Sequence, residues 1–417
     1  MNVNRSENSR RDFLKKGISG AVGISLLPAW GKGEENKNGS ASKSMDKKKI
    51  IYRTLGKTGI KVPIISFGCG STQNGNLVRA ALEMGMRHLD TAHGYGGGEN
   101  ETMLGEVLKG RPRHSFVVAT KIEPPRDNRT GLISKVIGKA FSPAELRKDV
   151  REKMAQSLKR LGLDYVDILY MHDIAAPDNV RFQLVKDIFL ELKREGKTKF
   201  LGVSTHQNEA EVIRAVVEEK IYDMVLTAYN FRQPHREEVK KAVAYAANAG
   251  LGVVGMKMLA GVYWDRERKH PINATAAFKW VLQDENVHTL VPGITTFDQL
   301  EADMSVMEAL SLTPREKADL EHGEKIAMTG LYCSQCGRCR SRCRYGLDIP
   351  TLMRCYMYAY GYKEPAKAKE ILQGKDSQVI TCRECSPCAV SCTMGFDVPG
   401  KIKDITRIID VPDDFLV

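Results

Sequence analysis

The 417-residue sequence predicts a (β/α)8 barrel followed by a small, mostly helical unit built around cysteine. Three observations lead there. From residue 50 onward, eight short apolar, β-branched runs alternate with amphipathic stretches, the pattern of a parallel sheet with crossover helices. The chain is too long for one ordinary domain but fits a barrel of about 250 residues plus something smaller. Eight of the ten cysteines fall in two runs of identical spacing after residue 332. The expected division is therefore 1–49 as a signal and linker, 50–325 as the barrel and 326–417 as the cysteine unit.

Composition narrows the function classes. With 27% charged and 42% hydrophobic residues, the chain is folded and globular for most of its length. The net charge of +12 is not a nucleic-acid footprint, because residues 1–49 hold 11 Lys/Arg against 5 Asp/Glu and so supply half of it. No nucleic-acid partner is expected. Outside the N-terminal tail no stretch reaches 18 apolar residues, so no integral membrane domain is expected either.

Taken in order, residues 9–15 read Ser-Arg-Arg-Asp-Phe-Leu-Lys, and Gly17–Trp30 carry no charge. A basic segment ahead of a short apolar one has the form of a secretory signal. Arg10–Arg11 with Phe13 and Leu14 resembles the twin-arginine export signal, which implies export of the folded, cofactor-loaded protein, to the periplasm. A loose basic tail ahead of a short helix is the alternative, and it would leave the protein in the cytoplasm. Residues 31–49, rich in Gly, Asn, Ser and Lys, read as a linker.

Tyr52–Val62 reads as a hairpin placed to plug the bottom of the barrel. The eight strands are expected at Ile64–Gly68, Arg87–Asp90, Phe116–Lys121, Val166–His172, Phe200–Ser204, Met224–Tyr229, Gly252–Met256 and Thr289–Pro292. Helices are expected at Leu77–Met84, Pro143–Leu161, Val180–Glu195, Glu209–Glu218, Arg236–Ala249, Ala274–Gln283 and Phe297–Leu310. Glu123–Ser142, with Arg126, Arg129, Lys135 and Lys139, reads as an insertion that shapes the mouth, or as a solvated loop.

Active sites of such barrels lie where the strands end at the C-terminal face. Asp90 ends the second strand and Tyr95 follows on its loop; Lys121 ends the third and His172 the fourth. A cation beside a phenol stabilises the phenolate and lowers its pKa, and a carboxylate fixes the cation. Tyr95, Lys121 and Asp90 supply that set, and His172 adds a donor for a carbonyl oxygen. Singly, each has a structural explanation: a cap, an end-of-barrel ion pair, a satisfied core histidine.

These residues, together with Leu89-Asp-Thr-Ala-His-Gly-Tyr-Gly-Gly-Gly-Glu-Asn100, Gly202-Val-Ser-Thr205 and Val291-Pro-Gly-Ile-Thr295, resemble the aldo-keto reductase family over roughly Tyr52–Asp303. The resemblance implies Tyr95 as proton donor within a catalytic set of Asp90, Tyr95, Lys121 and His172. It implies a nicotinamide cofactor, NAD(P)(H), across the mouth, held by Ser204, Thr205, Tyr229, Gly293, Thr295 and Gln299, and a small carbonyl or alcohol substrate. There are departures: Ser204-Thr205 stands where the family often has Ser-Asn, and Leu226 where it often has Gln. Thr295, Thr296 and Gln299 are neutral, so they give no charge-assisted contact to a 2′-phosphate. NADP preference is therefore doubtful, and the cofactor's grip or identity with it.

Cys333-x2-Cys336-x2-Cys339-x3-Cys343 recurs as Cys382-x2-Cys385-x2-Cys388-x3-Cys392. This is the bacterial ferredoxin run without its trailing proline, so two 4Fe–4S clusters are expected, with the fourth cysteine of each run ligating the other cluster. The 38-residue gap between the runs, with helices expected at Asp348–Tyr362 and Glu364–Leu372, resembles the helical two-cluster ferredoxin type. Arg338, Arg340, Arg342 and Arg344 flank the first run, either stabilising a reduced cluster or forming a solvated face. Cys69 and Cys355 lie outside the runs and are expected to pack as small apolar groups.

Two functions follow. The first is an exported oxidoreductase of carbonyls and alcohols whose clusters relay electrons to or from the nicotinamide or a redox partner protein. The second is a sensing or binding barrel joined to a ferredoxin-type electron carrier.

Overall fold

The computed structural model describes residues 50–127, 132–133, 135–136, 139–140, 142–259, 261, 271–325, 333, 337–373, 385, 387–392 and 395–416. The expected signal and linker at 1–49 lie outside them, as do Arg129, Cys336 and Cys382.

β1 (Tyr52–Thr54) and β2 (Lys61–Pro63) form the antiparallel hairpin. Eight parallel strands follow: β3 (Phe67–Gly68), β4 (His88–Asp90), β5 (Val117–Ile122), β8 (Val166–Met171), β9 (Thr198–Thr205), β10 (Met224–Ala228), β11 (Gly252–Met256) and β12 (Thr289–Leu290). β6 (Lys135–Val136) and β7 (Lys139–Ala140) form a small hairpin inside the insertion. Parallel bridges Ile65–Leu290 and Gly68–Gly293 join first strand to last and close the barrel. Each expected run carries a strand: Gly252–Met256 keeps its bounds, Phe200–Ser204 lengthens to Thr198–Thr205, Phe116–Lys121 shifts by one residue, and the others are shorter.

Strand alternation sorts the side chains into two layers. Ile168 and Tyr170 point inward with Ala119, Met224, Leu226 and Val254, and Leu55 and Val62 of the hairpin region join them from below. Leu169, Met171, Val203, Val225 and Val253 point outward against the helices. The plug is thus confirmed, and full burial of Leu55 and Val62 stabilises by about 1.5–3 kcal/mol each. Gly202 makes room for the internal Tyr170, since a Cβ there would lie 2.6 Å from its ring.

The helices around the barrel are α1 (Gly75–Glu83), α2 (Glu99–Leu108), α3 (Pro143–Leu161), α4 (Pro177–Val180), α5 (Gln183–Arg194), α6 (Glu209–Glu218), α7 (Arg236–Asn248), α8 (Ala274–Leu282), α9 (Phe297–Ser305) and α10 (Pro314–Lys325). α3 starts on a Ser142/Glu145 capping box with Pro143 in its first turn and stops at left-handed Gly162. The expected Val180–Glu195 helix is instead two, because Phe182 adopts an extended backbone between α4 and α5. The expected Phe297–Leu310 helix ends at Ser305 and tightens into a 3-10 turn over Val306–Glu308.

The C-terminal region is mostly helical, with α11 (Ile349–Tyr356), a π turn over Met357–Tyr362, α12 (Pro365–Gln373) and α13 (Val398–Thr406). Five residues after the last cysteine of each run comes Asp348-Ile-Pro or Asp397-Val-Pro, an acidic N-cap with proline in the first turn. The two helices so started share one core, Ile349, Leu352 and Met353 with Val398, Ile402 and Ile405. Cys69 and Cys355 are both fully buried, as expected of small apolar groups. Among the described residues no helix is long and apolar enough to cross a membrane.

Candidate active site

Asp90, Tyr95, Lys121 and His172 converge at the C-terminal ends of β4, β5 and β8. Lys121 Nζ donates to Asp90 Oδ1 (2.5 Å), to the Thr91 carbonyl (2.6 Å) and to Tyr95 Oη (3.4 Å). The rings of Tyr95 and His172 meet edge to face with centroids 6.0 Å apart. Asp90 and Lys121 are 4% and 2% exposed, whereas Tyr95 and His172 are half-buried, so a sealed ion pair backs a tyrosine turned to the mouth.

Neighbouring side chains that the sequence did not single out fix this geometry. Asn100 Nδ2 donates to the carbonyls of Cys69 and Thr72, both at 2.8 Å, while Thr91 Oγ1 donates to Asn100 Oδ1 at 2.7 Å. That ties the segment after β3 to the tyrosine loop. Buried Glu101 accepts from Thr120 at 2.6 Å and pairs with Arg160 at 3.3 Å. Gly70 admits the Tyr95 ring, for a Cβ there would sit 2.8 Å from it.

The charge balance differs from the expectation for Tyr95. Burial raises its pKa; Lys121 pulls it down, but the cation is 3.4 Å away and burial prevails. Burial also opposes the charge on Lys121, yet Asp90 and Tyr95 outweigh it and hold the lysine above its usual value. Burial, and then Lys121, push His172 well down. It is a neutral imidazole at pH 7, able to donate one N–H.

The C-terminal region covers this mouth. Lys257, after β11, donates from Nζ to Tyr358 Oη at 3.1 Å. Lys367 Nζ reaches Ser71 Oγ at 3.3 Å, and Glu370 accepts from the Gly97 amide at 3.2 Å. Asp173, next to His172, receives Arg354 of α11 (3.1 Å), Arg126 of the insertion (2.6 Å) and His206 (2.9 Å). Arg126 therefore does not lie in a solvated loop: it is a buried partner of Asp173. Burial raises the Asp173 pKa, but Arg354, Arg126 and His206 outweigh it and hold the carboxylate well below its usual range.

The cysteines gather in two hollows. Cys333 and Cys339 of the first run line one with Cys392 of the second, beside Pro350, Met353 and Phe396. Cys385 and Cys388 line the other with Cys343, beside Ile349 and Ile402. Three of the four thiols of each predicted crossed set thus share a hollow; Cys336 and Cys382 are the fourth members. The arginines are not a uniform rim. Arg340 is buried and paired with Asp348 at 3.1 Å. Arg344 donates to Cys385 Sγ at 3.3 Å, so its charge serves the second hollow.

Residues 71–276 match the profile of the Aldo/keto reductase family, and residues 303–397 that of the 4Fe-4S dicluster domain. The chain thus carries an aldo/keto reductase domain followed by a 4Fe-4S dicluster domain. The chain is 36% identical over 170 residues to L-galactose dehydrogenase of Arabidopsis thaliana, covering 37% of this chain and 49% of that protein. It is 29% identical over 289 residues to D-threo-aldose 1-dehydrogenase of a Pseudomonas species, covering 56% and 86%. It is 31% identical over 188 residues to the NADH-specific methylglyoxal reductase of Escherichia coli K12, covering 42% and 56%. The chain thus spans about half the length of two of these relatives. In fold it is similar to an aldo-keto reductase of Bacillus halodurans in its holo form, with a TM-score of 0.51 at 24% identity, over 67% of this chain and 98% of that one.

The family implies NAD(P)H, and the residues expected to hold it divide into two groups. Gly293, Thr295 and Gln299 are exposed around the start of α9, where backbone amides favour an anion. Ser204 and Thr205 are fully buried: Ser204 Oγ accepts from the Asp173 amide at 2.9 Å, and Thr205 Oγ1 donates to the Gln207 carbonyl at 2.8 Å. Tyr229 was expected to face the cofactor but lies in the layer between sheet and helices. It is 2% exposed, edge-on to Trp280 at 5.3 Å, with its hydroxyl 3.4 Å from Asp284. The reason is alternation: Met224 and Leu226 point inward, so Tyr229, an odd step away, points out. The rim residues thus fit the cofactor's phosphate end, and those three do not fit its ring end.

Proposed function

We propose that the chain interconverts a small carbonyl compound and its alcohol in the barrel mouth, and that the two clusters relay electrons between this site and a redox partner protein. The observation that carries the reading is Lys121 held between Asp90 and Tyr95, opposite a neutral His172.

In the reductive direction Tyr95 gives its phenolic proton to the carbonyl oxygen as hydride reaches the carbon. Lys121 stabilises the phenolate left behind, and Asp90 keeps the ammonium in place and charged. His172 donates an N–H to the same oxygen and orients it. A nicotinamide, when bound, supplies or accepts the hydride; Gly293, Thr295 and Gln299 would hold its distal end. The cysteine sets are Cys333, Cys336, Cys339 and Cys392 for one cluster, and Cys382, Cys385, Cys388 and Cys343 for the other. Bound there, the clusters carry single electrons.

The relatives' names point to small aldoses and α-oxoaldehydes as the substrate class. The division 50–325 and 326–417 is supported by α10, whose Leu320 packs with Phe231, Ala276 and Ala277 on the barrel side. Export by the twin-arginine route to the periplasm is supported by Arg10–Arg11 and by the use of clusters, which must be inserted before passage.

The test is Tyr95→Phe assayed with methylglyoxal and L-galactose against NADH and NADPH. The variant should fold, retain iron and lose turnover by at least a hundredfold. Turnover comparable to the wild-type protein would return the barrel to a scaffold.

A further inference from the structure

We propose that Tyr358, contributed by the cysteine domain, is a second proton-transfer residue of the barrel site, restoring to Tyr95 the proton that leaves with each reduced substrate. The proposal rests on the reading of Tyr95 as proton donor and adds a residue that the barrel alone does not contain.

Tyr358 sits in the π turn between α11 and α12, and such wide turns inside helices recur at functional sites. The turn brings Tyr358 over the mouth, where cations approach it from both domains. From the barrel, Lys257 Nζ lies 3.1 Å from Tyr358 Oη. From α12, Lys367 Nζ is 4.6 Å from the ring centroid, itself 3.3 Å from Ser71 of the barrel and 3.3 Å from Glu364. From α11, Arg354 adds a third positive charge while bound to Asp173. The Tyr362 ring lies 5.9 Å from that of Tyr358, and Tyr95 is near enough to feel both Tyr358 and Lys367. Lys257 is held in a left-handed backbone conformation (φ 56°) with its carbonyl accepting from Asn230 at 3.2 Å. A non-glycine residue in that conformation is strained, and such strain collects at functional sites.

The consequence is a difference in acidity between two tyrosines of one site. Burial raises the Tyr358 pKa, but Lys257, Lys367 and Arg354 outweigh it and bring the phenol down to about 8. Tyr95 stands above the usual tyrosine value. A proton on Tyr358 therefore moves downhill to a Tyr95 phenolate. The O–H bond of Tyr358 breaks and that of Tyr95 forms, the proton crossing through water in the mouth. The negative charge passes from beside Lys121 to beside Lys257 and Lys367, and solvent then protonates Tyr358. No electron is exchanged. In the oxidative direction the same path carries the proton out.

The test uses the full, cluster-loaded protein labelled with 13Cζ-tyrosine. In the wild-type protein one tyrosine resonance should titrate near pH 8. Tyr358→Phe should remove it, and Lys257→Met should move it towards the usual tyrosine range. In kinetics Tyr358→Phe should lower kcat roughly tenfold or more with KM unchanged, while the first turnover keeps its wild-type rate and the limb of the pH profile near 8 is lost. Unchanged iron content and visible absorbance show that the domain is still folded. A wild-type protein with no tyrosine titrating near pH 8, or a Tyr358→Phe protein with unchanged kcat and pH limb, overturns the proposal. The titration needs no substrate, so it stands apart from failure of the Tyr95 reading, which full activity of Tyr95→Phe would reveal.

Discussion

Asp173→Asn removes one negative charge from the point where barrel, insertion and cysteine domain meet, and the structure allows its effect to be sized. The carboxylate is 4% exposed and faces two guanidiniums, Arg126 and Arg354, whose side chains are 9% and 11% exposed. Asparagine keeps the shape and one acceptor but leaves both cations without a buried counter-charge. Breaking a buried ion pair by removing one partner destabilises by about 3–5 kcal/mol. For a chain this long each kcal/mol shifts melting by about 2 °C, so roughly 6–10 °C is expected. Because Asp173 is held below its usual carboxylate range, its contribution is fully present above the unfolded pKa of about 4 and is lost only as pH falls through the lower folded value. The deficit should therefore be the same at pH 6 and pH 8. Scanning calorimetry of the cluster-loaded protein is the assay, with Arg354→Met and the double variant completing a cycle. The double variant should be less damaging than the sum, since it leaves one orphan cation fewer. A melt within about 2 °C of wild type, or strictly additive losses, would refute the clamp.

Two further outcomes follow from the sequence motifs. Cys343→Ser should perturb chiefly the cluster held by Cys385 and Cys388, read by electron paramagnetic resonance of the reduced protein; a change confined to the Cys333–Cys339 cluster would mean that each run closes its own site. Changing Arg10 and Arg11 together to Lys should strand the protein in the cytoplasm with its clusters assembled, as fractionation and iron analysis would show, and undiminished export would remove the twin-arginine assignment.

The sequence announced what depends on local pattern. Eight strands fell where β-branched runs stood; α3 has the expected bounds because its capping box and periodicity agree, and α6 has them on periodicity alone. The convergence of Asp90, Tyr95, Lys121 and His172 was legible because strand ends of a parallel barrel share one face. α2 was passed over, its Gly-rich start hiding a helix that begins at Glu99. The repeated Asp-Ile/Val-Pro step after each cysteine run was a readable signal left unread. What could not be read were pairings between distant segments. Asp173 and Arg354 are 181 positions apart, and Lys257 and Tyr358 are 101 apart, so no local spacing links them. The burial of Arg126 and Arg340, each in a basic stretch for which a solvated surface was one of two readings, follows from such partners.

Electron flow between the mouth and the clusters is the claim on which the whole account turns, and one anaerobic measurement addresses it directly. The oxidised, cluster-loaded protein is mixed with L-galactose and NAD, frozen after one turnover, and examined by electron paramagnetic resonance. Each alcohol oxidised passes two electrons to NAD as hydride; returned one at a time from the NADH so formed, which regenerates NAD, they are enough to reduce both clusters by one. The wild-type protein should show reduced-cluster signal in proportion to substrate oxidised, and Tyr95→Phe should show none. Substrate oxidised with both clusters left oxidised, or equal cluster signal in the two proteins, would contradict it.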